Sequence, residues 1–127
     1  MLNCIAVGLG GFAGAVCRYW MSGLDLGARS GFPLPTLLIN LIGSFVIGFL
    51  AEGAQRNHWN PYMVLFFKVG VCGGFTTFST FALESADLLA GHQGLLAAAY
   101  MGASLVLCVG GVFLGKLVSG LVFGSAA

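Results

Sequence analysis

From Thr36 to Gly53 the chain reads TLLINLIGSFVIGFLAEG and meets its first charge only at Glu52. About 20 mainly apolar residues in a helix cross the roughly 30 Å hydrocarbon core of a bilayer, so this run has the length and character of a span. Three other runs share that character: about Met1 to Gly23, from after Pro61 to about Ala90, and about Leu95 to Val122. Across all 127 residues 58% are hydrophobic and 7% charged, where a soluble domain carries about 25% charge. The expectation is an all-α membrane protein, one four-helix transmembrane unit over residues 1–127 with nothing left over for a soluble domain. The first run has no basic segment ahead of it and no cleavage site, which argues for a first helix and against a removable leader. Pro35 suits the first turn of the second span, where a missing N–H costs no helical hydrogen bond.

The net charge is +1, and His58 and His92 fall in connecting segments, so nucleic acid is not an expected partner. Cys4, Cys17, Cys72 and Cys108 stand singly in apolar runs, without the clustering that metal or redox chemistry needs, and are read as small packing residues. Glycines recur at four-residue spacing in Gly10 and Gly14, Gly70 and Gly74, Gly111 and Gly115. In lipid such spacing lets helix backbones approach closely, which predicts a tight bundle. Four short helices leave a thin interior, so an aqueous path calls for a second copy of the chain. Arg56, Lys68 and Lys116 lie toward one side of the membrane, Arg18 and Arg29 toward the other. That distribution gives no firm insertion instruction and makes an antiparallel pairing reasonable.

The third run, at about 29 residues, is too long for one unbroken, untilted crossing. It contains GGFTTFSTFALE, Gly73 to Glu84. Tandem glycines weaken a helix, and clustered hydroxyls compete for its backbone hydrogen bonds, so an interruption is expected between Phe75 and Ser79. Backbone freed at membrane depth must be buried in protein or line a cavity, as at transporter ion sites. Its carbonyls can hold a cation, and the amino end of the resumed helix can attract an anion. Phe78 and Phe81, three residues apart, share a helical face, and their positive ring edges can contact a partly dehydrated anion. Arg18, Glu52 and Glu84 lie near span ends where they can anchor or pair, and Lys68 is within reach of the interface. Asn40 is set inside the second span with Thr36 four residues earlier on the same face. That polar strip serves either interhelical hydrogen bonding or a pore.

GGFTTFSTF in the third span, Gly10, Gly14 and Arg18 in the first, TLLIN in the second and YMGASL in the fourth together resemble the Fluc (CrcB) family of fluoride channels. The resemblance covers nearly the whole chain in the same order. It implies an antiparallel, dual-topology homodimer in the bacterial inner membrane, with a broken third helix and two pores between subunits that export fluoride passively from the cytoplasm. On the matching positions, Phe78 and Phe81 would be the paired rings of the fluoride path and Asn40 its asparagine. Ser79, Thr80 and Thr36 would belong to a hydroxyl track beside the rings, and Tyr100 and Ser104 to the polar positions of the fourth span. Arg18 would sit near the vestibule, and Glu84 matches the family's acidic residue after the TFSTF core. A central structural sodium ion would rest on the backbone carbonyls of Gly73 and Thr76.

Fluoride is small and strongly hydrated, so a path for it must offer donors in place of water without a full positive charge that would trap it. The Asn40 amide, the Ser79 and Thr80 hydroxyls and the ring edges answer that description. A proton-coupled multidrug exporter of four spans is the competing reading, but it needs a carboxylate in its first span, and none precedes Asp25. A membrane enzyme with Ser79 or a cysteine as nucleophile would need a His or Asp at membrane depth to activate it. A scaffold without conduction is the third alternative.

Overall fold

The computed structural model describes residues 1–24, 26 and 30–124. Asp25 and Arg29, which enter the exporter argument and the charge bias, lie outside the described residues. The described chain is helical, without strands, and four of its helical spans are long and apolar enough to cross a membrane.

Helix α1 (Leu2–Ser22) ends where the Gly23 N–H donates to the Tyr19 carbonyl at 3.3 Å. Helix α2 (Leu34–Asn57) carries Pro35 in its first turn and stops at His58, whose φ of 47° is left-handed. It outlasts the expected span at both ends. Beyond Gly53 it is continued by an i,i+4 ion pair between Arg56 and Glu52 at 2.7 Å, the spacing that places two side chains on one helical face.

The third span opens with α3 (Pro61–Val64), where the Asn60 side chain caps the Tyr62 N–H at 2.9 Å. It continues through a π-helical segment (Leu65–Val71) into α4 (Cys72–Phe75). Thr76 and Thr77 are extended, with φ, ψ of −77°, 155° and −147°, 110°. Helix α5 (Phe78–Ala90) follows, and after a turn at His92 helix α6 (Gly94–Phe123) returns across the membrane. At 1.5 Å per residue the 30 residues of α6 exceed the hydrocarbon thickness, so its ends reach the headgroups.

Two parallel pairs make the bundle: α1 against the first half of the third span, and α2 against α6. Glycine is the reason they fit. A Cβ on Gly10 would meet the Phe66 carbonyl and come within 3.0 Å of the Gly70 Cα. On the other pair, a Cβ on Gly115 would meet the Phe45 carbonyl, and one on Gly48 the Val112 carbonyl. These are backbone obstacles that no rotamer change relieves. Gly115→Val is therefore expected to cost at least about 1–3 kcal/mol, read as a lowered unfolding midpoint in detergent; an unchanged midpoint would remove the backbone contact from the account.

Between α2, α5 and the start of α6 lies a buried cluster of Leu37, Leu88, Ala97 and Tyr100. Large apolar side chains elsewhere, such as Phe12, Leu105, Phe113 and Leu121, face outward, as a lipid-facing surface requires. Cys4 and Cys17 are exposed and Cys72 is buried. Among the described residues no three metal-ligating side chains come together.

Candidate functional site

The two extended threonines hold the site together: the Thr76 N–H closes the last turn of α4 on the Cys72 carbonyl at 3.0 Å, and from Thr77 the backbone leaves the helical ladder. The Thr77 N–H, which in a continuous helix would reach the Gly73 carbonyl, donates instead to Asn40 Oδ1 at 2.8 Å. In return Asn40 Nδ2 donates to the Thr77 carbonyl at 3.1 Å. One amide side chain from α2 thus satisfies both backbone polar groups of Thr77 at membrane depth, where unpaired groups are costly. An asparagine amide has two N–H donors and two acceptor lone pairs. Half of that capacity remains for the cleft that Asn40 also lines.

Thr77 caps α5 as well. Its Oγ1 accepts from the Thr80 N–H at 3.2 Å and donates to Thr80 Oγ1 at 3.0 Å, with Ser79 Oγ at 3.2 Å. Threonine is a favoured cap because a short side-chain oxygen reaches the first free amides of the helix. Starting α5 here sends Phe78 and Phe81 along one face, with ring centroids 5.5 Å apart and planes tilted by 45°. Phe81 stands 5.3 Å from the Tyr100 ring, which meets Phe32 edge-on at 5.5 Å. Phe78 is 79% exposed.

Beside the ring pair lies a cleft of about 350 Å³ between α2, α5 and α6, lined by Asn40, Ser44, Phe78, Phe81, Ser104 and Cys108 among others. None of the lining residues is charged. Ser104 is only 7% exposed, and its hydroxyl has no hydrogen-bond partner. A buried hydroxyl without a partner costs free energy. Ser119, on the same helix, also lacks one, but of the two only Ser104 lines the cleft.

Thr36 and Tyr100 belong to a second arrangement about one turn away. Thr36 Oγ1 donates to Glu84 Oε1 at 2.8 Å, and the Tyr100 hydroxyl donates to Glu84 Oε2 at 2.6 Å. Thr36 and Tyr100 are buried, Glu84 half-buried. Hydrogen bonds to a carboxylate are short and strong, so three helices are pinned at this point. Tyr100→Phe removes one of the two donors and is expected to cost about 1–3 kcal/mol. The check is the thermal midpoint of the purified protein, and no change would mean that Glu84 finds another donor.

Arg18, near the carboxyl end of α1, donates from Nε to the Gly74 carbonyl at 3.0 Å. The bond falls at the carboxyl end of α4, where unpaired carbonyls give a partial negative charge that a guanidinium satisfies. Arg18 is thereby fixed to the edge of the extended pair.

Residues 5–116 match the sequence model of the family described as "CrcB-like protein, Camphor Resistance (CrcB)". The chain belongs to that family. Its similarity to individual CrcB-like relatives extends over nearly the full length. A protein of Ruminiclostridium cellulolyticum is 43% identical over 121 residues, 94% of this chain and 93% of the relative. One from Rhodospirillum rubrum is 46% identical over 120 residues, covering 91% and 93%, and one from Elusimicrobium minutum 46% over 111, covering 86% of each. Each of these relatives is named a fluoride-specific ion channel, FluC.

Within this CrcB-like chain the geometry sorts the candidate residues into groups. Asn40, Phe78, Phe81 and Ser104 meet at the cleft. Thr36 and Tyr100 meet instead at Glu84, and Ser79 and Thr80 gather about the cap of α5. Thr36 and Asn40 share a helical face, yet their side chains take separate partners. Thr77, Ser44 and Cys108 were absent from the sequence-based selection. A threonine placed just before an apolar helix is a cap signal, and Ser44 and Cys108 each stand four residues beyond a chosen residue.

Proposed function

We propose that the chain forms a fluoride-selective channel through which the anion leaves the cytoplasm passively, and that Asn40, Phe78, Phe81 and Ser104 line its path. The observation that carries this reading is the unpartnered Ser104 hydroxyl beside the Phe78 and Phe81 rings in an uncharged cleft at the extended residues. The relatives' printed name supports the same anion. Hydroxyl and amide donors and ring edges replace a hydration shell in weak steps, which favours entry and also exit. The residual N–H of Asn40 and the Ser104 hydroxyl supply donors from α2 and α6. Phe78 and Phe81 exclude water with little charge. The hydroxyls of Ser79, Thr80 and Thr36, together with Tyr100, extend the polar surface on either side of the rings.

The pore is proposed to lie between two antiparallel copies in a bacterial inner membrane. A ring 79% exposed at the interrupted, functional part of the third span supports a second copy covering it, and two copies related by a two-fold axis give two equivalent paths. Fluoride that enters as the neutral acid is trapped as the anion at higher cytoplasmic pH, which drives outward flow without coupling.

A structural sodium ion fits the chain's own groups. Because the Thr77 N–H bonds to Asn40, the Gly73 carbonyl loses its helical donor, and the Thr76 carbonyl lies in the extended pair. Two such hard oxygens per copy, four in a pair, suit a hard cation. When bound, the cation would supply the positive charge that these dipoles lack, as Arg18 supplies it to the Gly74 carbonyl.

The test is efflux from proteoliposomes loaded with potassium fluoride or potassium chloride and triggered with a potassium ionophore. Fast fluoride release with negligible chloride release is expected. Release of neither ion would return the chain to the scaffold and exporter readings.

A further inference from the structure

Gly43 differs from the other glycines of α2 in what it faces. A Cβ on Gly48 would meet the backbone of α6, and one on Gly53 the rings of Trp59 and Phe123. At Gly43 the obstacle belongs to the interruption of the third span: an added carbon would meet the Thr76 methyl, Cγ2, and come within 3.3 Å of Phe75 Cδ1. Gly43 is buried, and both it and Thr76 line the cleft beside Phe78 and Phe81.

The Thr76 methyl is not free to turn away. Thr76 Oγ1 donates to the Cys72 carbonyl at 2.8 Å, and the Thr76 N–H reaches the same carbonyl at 3.0 Å. A threonine whose hydroxyl is tied back to the preceding turn has its χ1 fixed, and with it the direction of its methyl. One residue on, Thr77 is held to α2 by the paired hydrogen bonds of Asn40. Asn40 and Gly43 are three residues apart on α2 and share a helical face. That face therefore grips two consecutive residues, Thr77 by hydrogen bonds and Thr76 by shape.

We infer that Gly43 is a positioning residue of the ion path: its missing side chain sets how closely the extended threonines seat on α2, and so where the Thr77 backbone meets Asn40. This rests on the channel reading and adds to it a residue that acts through Thr76. A methyl group at position 43 pushes Thr76 off α2 while Asn40 holds Thr77 to it. Either the Thr76 hydroxyl leaves the Cys72 carbonyl or the Asn40 pair opens. In both cases the start of α5 moves, and Phe78 and Phe81 move with it relative to the Asn40 amide, because a close-packed contact transmits the displacement.

The test is a double-substitution cycle of Gly43→Ala and Thr76→Ser, made in the full chain and read as fluoride efflux per reconstituted protein. Serine keeps the hydroxyl for Cys72 and removes only the methyl that the new carbon would meet. Gly43→Ala alone is expected to lower efflux at least about tenfold. In the Thr76→Ser background the same substitution is expected to change efflux by no more than about twofold. Gly43→Ala combined with Ile47→Val is the control, since Ile47 lines the same cleft and loses a carbon there without relieving Thr76; efflux is expected to stay low.

Undiminished efflux in Gly43→Ala overturns the positioning role. So does an equal loss in the two backgrounds, and so does recovery with Ile47→Val, which would mean that the methyl only narrows the cleft. Should Gly43→Ala fail to fold, its combination with Thr76→Ser is still expected to fold and conduct, and failure of that pair overturns the inference. The native protein separates the two readings. If it releases no fluoride the channel reading itself fails, and the thermal midpoints of the cycle then decide the contact: coupled shifts support it and additive shifts overturn it.

Discussion

Asn40→Asp is expected to abolish fluoride efflux while leaving the protein folded enough to purify. Two effects act in the same direction. The carboxylate keeps an acceptor for the Thr77 N–H but has no donor for the Thr77 carbonyl, which Asn40 Nδ2 now reaches at 3.1 Å. Leaving that carbonyl unpaired costs about 1–3 kcal/mol. The second effect is larger: a negative charge in a cleft with no charged wall repels the anion at short range, where little water screens it. Asn40→Ser separates the contributions, because the hydroxyl restores a donor without the charge. Flux in that variant is expected to fall between the native protein and Asn40→Asp. Undiminished fluoride transport in Asn40→Asp would show that Asn40 serves only the backbone of the third span.

Phe78→Ile and Phe81→Ile are each expected to lower fluoride flux at least about tenfold, equivalent to about 1.4 kcal/mol on the barrier. Isoleucine fills much of the same volume and repels water as well, but it lacks the positive ring edge that faces an anion. The two rings differ in setting. Phe81 also packs on Tyr100 at 5.3 Å and borders the buried cluster, so its loss should additionally lower the thermal midpoint. Phe78, largely exposed, should affect flux with little effect on the midpoint. Unchanged flux in both variants would remove the ring edges from the mechanism.

The number and placement of the spans were legible because lipid imposes a simple demand, about 20 apolar residues per crossing, and the described residues meet it four times. The glycine spacing was legible for a related reason: Gly10 with Gly70, and Gly115 with Phe45, mark where backbones touch. The far end of α2 was not, since the polar residues after Gly53 look like a loop until the Glu52 and Arg56 pair is seen to continue the helix. Nothing in LFFKVGV marks a π-helical segment, whose extra residue per turn depends on how the span fits against α1.

At the site, residue types could be chosen from sequence but not their partners. Asn40 was singled out as a polar residue in a span, yet its bonds are to the backbone of Thr77, and backbone acceptors carry no sequence signature. Glu84 sits where it could have been a surface anchor; the Thr36 and Tyr100 hydroxyls that bind it come from spans 48 and 16 residues away. The same limit applies to the Gly73 carbonyl, whose helical donor, the Thr77 N–H, goes to Asn40, and to the Thr76 carbonyl, whose helical donor, the Thr80 N–H, goes to the Thr77 hydroxyl. Cys108 is read from sequence as packing because a lone cysteine usually is; that it shares a cleft wall with Ser104 is visible only in the structure.

The most direct measurement of the central claim is the reversal potential of the purified protein in a planar bilayer, with fluoride on one side and chloride on the other. A selective passive channel predicts a current carried by fluoride, with a reversal potential displaced strongly in the direction that opposes fluoride flow and no detectable chloride current in symmetrical chloride. A reversal potential near zero, with chloride carrying as much current as fluoride, would contradict selection by Asn40, Ser104 and the two rings.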